Sequence, residues 1–471
     1  MPGVNQKVVF NGKFVGRQVI YTDVENITKD NLLVILHKAM TIHENNRYQI
    51  DYLYNYYKGD QPILNRVKDI REEINNKVVE NRANEIVSFK TGYLMGQPVQ
   101  YVTRKNDKQV NVDLDIFNDF FFMEGKTTKD KKLVDWMHIC GTAYRMILPR
   151  KDDRQSSPEA PFNIYKLDPR YCFVVYFNGL GEEPKMGVKY VTQDDGTIIT
   201  SVYTKDTYFE IKNDKIVKQE SHTIGYIPIV EYPLNEARLG SFEIVLTMLD
   251  AINLLDSNRM DGIEQFVQAL MVFKGVDIDS DDFKALKEKG GIKIPAEADV
   301  KYLIQELNQQ QTQTLKNDMY ETILTICGMP NRNGGSSTSD TGTAVIMRDG
   351  WSAAEARAQD TEEMFKESEK QFLRIAINIA NTLRRLSLRL SDIDIRFTRR
   401  NYENIQGKAQ VLTTMLANPK IDPKLAFEHC GMFTDPNLAY EDSRKYYESE
   451  LDRQQKDLRQ AIDGNKGKGE E

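Results

Sequence analysis

The chain is poor in the residues that would hold a small secreted domain together. Its 471 residues contain four cysteines, Cys140, Cys172, Cys327 and Cys430, far apart and without a CxxC pair. That excludes a disulfide scaffold and a thiolate zinc ribbon and leaves buried free thiols, as in a reducing cytoplasm. No apolar run approaches the ~18 residues that span a bilayer, and the N-terminus lacks the basic start and apolar stretch of a signal peptide. The chain is also short of positive charge: 63 Lys and Arg against 70 Asp and Glu give a net charge of -7. Tight neutralisation of nucleic-acid phosphates needs the opposite balance, so only loose contact with DNA fits.

Signatures of catalysis are missing as well. A phosphate-cradling loop requires GxxxxGK followed by Ser or Thr, and the glycines between Gly328 and Ser336 have no lysine in that place. His43-Glu44 opens like a zinc-protease helix, but Arg47 stands where the second histidine belongs, and His37, His138, His222 and His429 are scattered. Asp277, Asp279, Asp281 and Glu288 have the acidic spacing of a calcium loop. Asp282 replaces the glycine of its turn, however, and the carboxylates suit the N-terminus of a short helix from Asp282 to Lys289. No catalytic, cofactor or metal residue is therefore assigned.

What is present is helical periodicity on an unusual scale. The length allows about two to four packed units. Residues 4–22 alternate around Asn11-Gly12 and predict a β-hairpin. Leu32, Ile35, Leu36, Ala39, Met40 and His43 predict a helix over 28–57, ended by Gly59. A second is expected from about Val78 to Met95. Between Pro98 and Pro233 the texture becomes β-rich, interrupted by a helix around Lys126 to Ile139 and a surface loop from Arg150 to Pro161. This first part reads as an α+β unit.

Phe242, Val245, Leu246, Leu249, Ile252, Leu255, Ile263, Phe266, Val267 and Leu270 then keep a 3.6-residue beat for about thirty residues. A compact insert from Lys274 to Leu303 follows, with Gly290-Gly291 before a strand-like IKIP. A helix resumes over 304–327 on Leu307, Leu315, Met319, Ile323 and Ile326. Its other faces carry Gln309, Gln310, Gln311, Thr312, Gln313 and Asn317. That surface is either an ordinary solvated face or the lining of a pore, where uncharged polar groups wet the wall without clamping phosphates. NRNGGSSTSDTG is a loop by composition. Ala354, Ala358, Phe365, Phe372, Ile375, Ile379, Leu383, Leu386 and Leu390 predict a helix of some forty residues. IDIRF is a short strand. Asp422-Pro423 and Asp435-Pro436 each pair an N-cap with proline at the first helical position, and residues 464–471 read as a disordered tail.

The stretches VENRANEIVSFKTGYLMGQPVQY, IPIVEYPLNEARLGSFEIVLTMLDAINLLDSNRMDGIEQFVQALMVFKG and SSTSDTGTAVIMRDGWSAAEARAQDTEEMFKESEKQFLR, in this order, resemble the portal (head-to-tail connector) proteins of long-tailed phages of Gram-positive hosts. The resemblance covers residues from about 50 to 400. It implies a mainly helical α+β fold of four regions. Residues 1–240 with a returning strand at 391–400 would be the α/β wing, 241–273 and 304–328 the stem helices, and 274–303 a small mixed α/β clip. Residues 329–351 would hold the tunnel loop, 352–390 the spine helix, and 401–463 the helical crown.

By the same resemblance, about twelve copies would form a ring at one capsid vertex of the virion, assembled in the host cytoplasm. Double-stranded DNA would pass through it weakly and non-specifically held. The terminase large subunit, head-completion adaptors, scaffolding protein and major capsid protein would be partners; no membrane is involved. Candidate channel residues are Thr343, Ala344, Val345, Ile346, Met347, Arg348 and Asp349, with Gln309, Gln310, Gln313 and Asn317 on the stem. Arg348 would touch DNA transiently or pair with Asp349 or a neighbouring subunit. Lys274, Asp277, Asp279, Lys284, Lys287 and Lys293 would present the clip. The competing readings are a packaging ATPase or nuclease, which the missing phosphate loop and absent acidic metal cluster disfavour, and a structural adaptor that forms no ring.

Overall fold

The computed structural model describes residues 16–104, 108–150, 159–267, 270–274, 284, 297, 299–303, 309–331, 350–399, 405–433 and 436–466. Helix, at about 54%, outweighs strand, at 18%, which is the mainly helical α+β class expected. In chain order the elements are β1 (Ile20–Thr22), α1 (Lys29–Lys58), α2 (Arg82–Leu94), β2 (Gln100–Thr103), α3 (Lys108–Met123), α4 (Lys126–Cys140) and strands β3 (Thr142–Pro149) and β4 (Phe162–Leu167). Then come β5 (Cys172–Phe177), β6 (Pro184–Thr192), β7 (Ile198–Tyr203), β8 (Thr207–Lys212), β9 (Lys215–Ser221) and β10 (Ile229–Pro233). The second half holds α5 (Leu246–Val267), β11 (Leu270–Lys274), β12 (Asp299–Leu303), α6 (Gln309–Cys327), α7 (Trp351–Arg384), β13 (Ile393–Arg396), α8 (Ile405–Leu416), α9 (Pro423–His429) and α10 (Pro436–Lys466).

Two cores organise the first part. In one, α1 lays Leu32, Ile35, Leu36 and Ala39 on a six-stranded sheet of order β1-β5-β6-β7-β8-β9, against Phe173, Val175, Val188, Val202 and Phe209. The helix starts where the Thr28 amide donates to Asn31 Oδ1 at 2.8 Å. It stops at Gly59, whose φ of 104° is open to glycine but strained for other residues. In the other core, α3, α4 and the sheet β10-β3-β4 pack Phe117, Phe121, Leu133, Val134, Phe162 and Tyr232 around α7, which contributes Phe365, Phe372, Ile375 and Ile379. The root of α5 (Phe242, Val245, Leu246, Leu249, Ile252) and the last turn of α6 (Ile323, Leu324, Cys327) join this core. The strand at Ile393 pairs antiparallel with β2, in the register Ile393 to Thr103.

Several expected boundaries move. Ile20–Thr22 pairs in parallel with β5, and the rest of the expected hairpin lies outside the described residues. The helix expected from Val78 begins at Arg82, capped by Asn81 Oδ1 accepting from the Asn84 amide, because the amides of Val78 and Glu80 bond to side chains of α5 instead. Helix α3 stands in a region read as β-rich. Helix α5 ends at Val267 rather than Phe273: residues 270–274 form a strand whose partner, β12, closes the insert at its neck. An apolar run as short as LMVF suits either state, and pairing decides it.

Helix α7 ends at Arg384 rather than Leu390. Asn381 binds both main-chain groups of Leu388, donating to its carbonyl at 2.8 Å and accepting from its amide at 3.3 Å, and this turns the chain back with Arg385 at a φ of 57°. Asp422 caps α9 by accepting from the Lys424 amide at 2.9 Å, with Pro423 next, as its sequence indicates. Pro436 opens α10, while Asp435 is outside the described residues. That helix reaches Lys466, so the tail expected from Gly464 starts inside it.

The path into α5 depends on a tight crossing. Gly141 has a φ of 78°, and a Cβ there would lie 2.0 Å from the carbonyl oxygen of Arg238. The Leu234 amide donates to the Gly141 carbonyl at 2.9 Å in the same crossing. Replacing Gly141 with Ala is therefore expected to cost at least about 1–3 kcal/mol, read as a lowered midpoint in urea unfolding; an unchanged midpoint would show that the crossing is not close-packed.

Candidate channel-lining helices and the ionic core beneath them

Beyond their apolar roots, α5 and α6 are joined by polar groups. Arg259 donates to Gln313 Oε1 at 2.6 Å, and Gln313 Nε2 donates to Asn317 Oδ1 at 2.8 Å. Lys316, the one cation of α6, is turned inward to Glu80 at 2.6 Å and Asp256 at 2.9 Å. Gln310, Gln311, Thr314 and Asn317 are exposed. The outward surface of this turn thus carries amides and hydroxyls, with Leu315 and Asp318 beside them and no outward cation, and Gln313 bonds to α5 rather than standing on the open face. Leu315 and Ile326, expected on the apolar stripe, are 50% and 39% exposed; Ile323, Leu324 and Cys327 are the buried set. Gln309 is the first residue of α6.

Of the clip candidates, Lys274 ends β11 with its side chain exposed, and Lys284 is exposed. Asp277, Asp279, Lys287 and Lys293 lie outside the described residues, as do the calcium-spaced Asp281 and Glu288 and all of Thr343, Ala344, Val345, Ile346, Met347, Arg348 and Asp349. The chain leaves α6 through Gly328, Met329 and Pro330 and re-enters helix at Gly350, which has a φ of 82°.

The histidines are dispersed. His43 is buried against the Arg170 carbonyl at 3.2 Å, and desolvation lowers it to about 4. His138 binds Ser241 Oγ at 2.8 Å and is lowered to about 3, again by burial. Among the described residues no group of three His, Cys, Asp or Glu side chains could hold a metal ion. All four cysteines are buried and free, and desolvation pushes Cys140 up to about 12 and Cys327 to about 11. Among the described residues no helix is long and apolar enough to cross a membrane.

The feature that sequence reasoning missed lies under these helices. Glu369, fully buried on the apolar face of α7, accepts from Tyr101 at 2.6 Å, Tyr232 at 2.7 Å and Arg145 at 2.9 Å, and pairs with Lys126 at 2.9 Å. Arg145 also pairs with Asp130, which holds Lys126 at 2.8 Å. Two cations and two carboxylates thus balance in a dry site, with the Arg145 guanidinium 4.8 Å over the Phe372 ring. Burial alone would raise the Glu369 carboxyl; Lys126 and Arg145 outweigh it and hold the group below its ordinary value. A second clamp, Arg399 on Glu355 at 2.7 Å and on Glu362, ties the chain after β13 to α7.

Comparison with known proteins decides what this framework is. The family model described as "Phage portal protein, SPP1 Gp6-like" matches residues 36–464, which spans both cores, the α5–α6 pair, α7 and the C-terminal helices. The chain belongs to this phage portal family. No curated protein matches it by sequence. Among solved structures, this portal chain is similar to one described as "Neck of empty GTA particle computed with C6 symmetry", at 10% identity and a TM-score of 0.44, over 75% of this chain and 90% of that one. It is also similar to "Neck of native GTA particle computed with C12 symmetry", at 11% identity and 0.43, with the same coverage.

In this portal chain Glu369 is expected to govern stability. Glu369→Gln leaves Arg145 and Lys126 short of a counter-charge and is expected to cost about 3–5 kcal/mol. Because the folded carboxyl is depressed, the wild-type contribution is present above the unfolded value of about 4.3 and is lost as pH falls through the folded one. Urea unfolding at pH 7 and pH 3 checks both: the variant should differ strongly from wild type at pH 7 and less at pH 3. Equal midpoints at pH 7 would contradict the assignment.

Proposed function

We propose that this chain is a structural subunit of a ring-shaped portal through which double-stranded DNA enters and leaves a phage capsid. The family match over residues 36–464 carries the reading, and the physical character of the α5–α6 pair supports it. A channel for a polyanion must let it slide in both directions, and each lasting Lys or Arg contact with phosphate would add counterion-release affinity and slow movement. The exposed face of α6 offers the amides and hydroxyls of Gln310, Gln311, Thr314 and Asn317 beside Leu315 and the carboxylates of Asp318 and Glu321, and its lysine is neutralised on the inner side by Glu80 and Asp256.

On this reading α5 and α6 are the stem, and the insert closed by β11 and β12 is the clip, where the terminase motor docks during packaging and head-completion proteins dock afterwards. Residues 329–351 contain the tunnel loop, α7 is the spine, and α8 to α10 are the crown inside the head. The two-core unit before α5, with β13 returned to it, is the wing, facing the scaffold and major capsid protein. The assembled ring occupies one vertex of the virion.

A ring also explains the apolar residues that one copy leaves in water. Leu254, Met260 and Ile263 of α5 are 45%, 47% and 46% exposed, and Tyr446 and Tyr447 of α10 are 69% and 65% exposed. Electron microscopy and native mass measurement of the purified protein test the proposal. Rings of about twelve copies with a central hole are expected. A monomer or dimer at every protein and salt concentration would overturn it.

A further inference from the structure

The apolar burial of α5 stops short of the helix. Between Asn253 and Gln265 its buried side chains with functional groups are Asn253, Ser257 and Asp261, at 0%, 0% and 3% exposure. They stand four residues apart and form one polar stripe. Facing them, residues 61–81 cross the helix as a strap, and three of its amides meet the stripe in order. The Glu80 amide donates to Asn253 Oδ1 at 2.8 Å, the Val78 amide to Ser257 Oγ at 3.0 Å, and the Asn76 amide to Asp261 Oδ1 at 2.7 Å. Two residues of extended chain advance ~6.6 Å, and four helical residues advance ~6 Å. Alternate amides therefore stay in step with a stripe at every fourth position, with the chains running in opposite directions.

The strap is fastened at both ends. At its neck Gln61 donates to the Tyr56 carbonyl at 3.2 Å and to Asn81 Oδ1 at 3.1 Å, and Asn81 donates to the Tyr57 carbonyl at 2.9 Å. Near its far end Arg66 and Lys68 each reach Asp261 at 3.0 Å. Little apolar surface helps: Ile63 and Ile74 are buried, but Val67 and Ile70 are 81% and 79% exposed. Across the helix, α6 grips the same stretch with polar groups as well, through Gln313 and Lys316.

We propose that residues 61–81 form a latch that sets the angle of the stem helix α5 against the wing, and that it opens and recloses as a unit while DNA moves. This rests on the portal reading above. Hydrogen bonds exchange with water at a small net cost, whereas apolar packing does not. The root of α5, from Phe242 to Ile252, therefore stays fixed in the core while the stretch beyond it can be released. Asp261 closes the latch because it alone collects two cations and a main-chain amide.

Two measurements on the assembled full chain test this. In hydrogen exchange, peptides covering 62–81 should exchange together, faster than α1 and α2. Asp261→Asn should speed them by about ten- to a hundred-fold, the range for loss of charged hydrogen bonds, with α1 and α2 unchanged. Exchange of the strap only with the whole wing, or no change in the variant, would overturn the latch. Second, Val78→Cys with Ser257→Cys places two thiols where the Val78 amide meets Ser257 Oγ at 3.0 Å, and disulfide formation is confirmed by mass before the rings are tested. Oxidised rings should assemble but package less DNA, with recovery on reduction. Equal packaging in both states would overturn the requirement for release. Rings that package nothing even when reduced, alongside wild-type protein that also fails to package, would instead remove the portal reading itself.

Discussion

A single carboxylate on an otherwise apolar helix face sets the geometry of this subunit. Glu369 is the only charged side chain fully buried on α7, and it is met by donors from α4, β2, β3 and β10 at once. A buried carboxylate tolerates few arrangements, since leaving any of these donors or acceptors unpaired in a dry site is costly. Apolar packing alone would let a long helix slide or rotate on a sheet at little cost. The network instead fixes which turn of α7 lies over which residue of the sheet, and α5 and α6 take their roots from the same core. Its net charge is neutral, with Arg145 and Lys126 against Asp130 and Glu369, so it adds specificity of register without adding field.

From this fixed base the character of the long helices changes along their length. Apolar contacts hold α5 through Ile252 and α6 from Met319 onward, and farther out the two helices are joined by Arg259 with Gln313 and by Lys316 with Asp256. The strap adds main-chain amides from the other side. On the proposed function, an apolar base and an upper part whose charges are paired with one another suit a wall that must keep its diameter yet let a charged polymer pass. The tight glycine crossing at Gly141 belongs to the base, because it directs the chain into α5.

Much of this frame is readable in the sequence, and the reasons are local. Helix α1 shows an apolar stripe from Leu32 to His43 and a glycine stop, α7 shows Ala354, Ala358, Phe365 and Phe372 at helical spacing, and α9 shows Asp422-Pro423. The strand at Ile393 and the amide-rich first turns of α6 are visible in the same way. What is hidden depends on partners far away in the chain. Glu369 lies in the run KESEK, which looks like a solvated face, and its cation Arg145 is 224 residues distant. The strap has no periodicity because it meets the helix through alternate main-chain amides and through polar side chains such as Arg66, Lys68 and Asn76, not through an apolar stripe. Helices α5 and α7 end earlier than their apolar spacing suggests, because a β-partner at 299–303 and the Asn381 clasp on Leu388 stop them, and neither is a local signal.

The proposed function holds that this portal passes DNA without holding it. Equilibrium binding of double-stranded DNA to the assembled protein across a range of salt concentrations tests this most directly. The account predicts weak binding and a shallow dependence of log K on log salt, with a slope no steeper than about -3, as for about three phosphates neutralised. Tight binding with a slope of about -9 or steeper would mean that the wall grips the phosphate backbone and would contradict it.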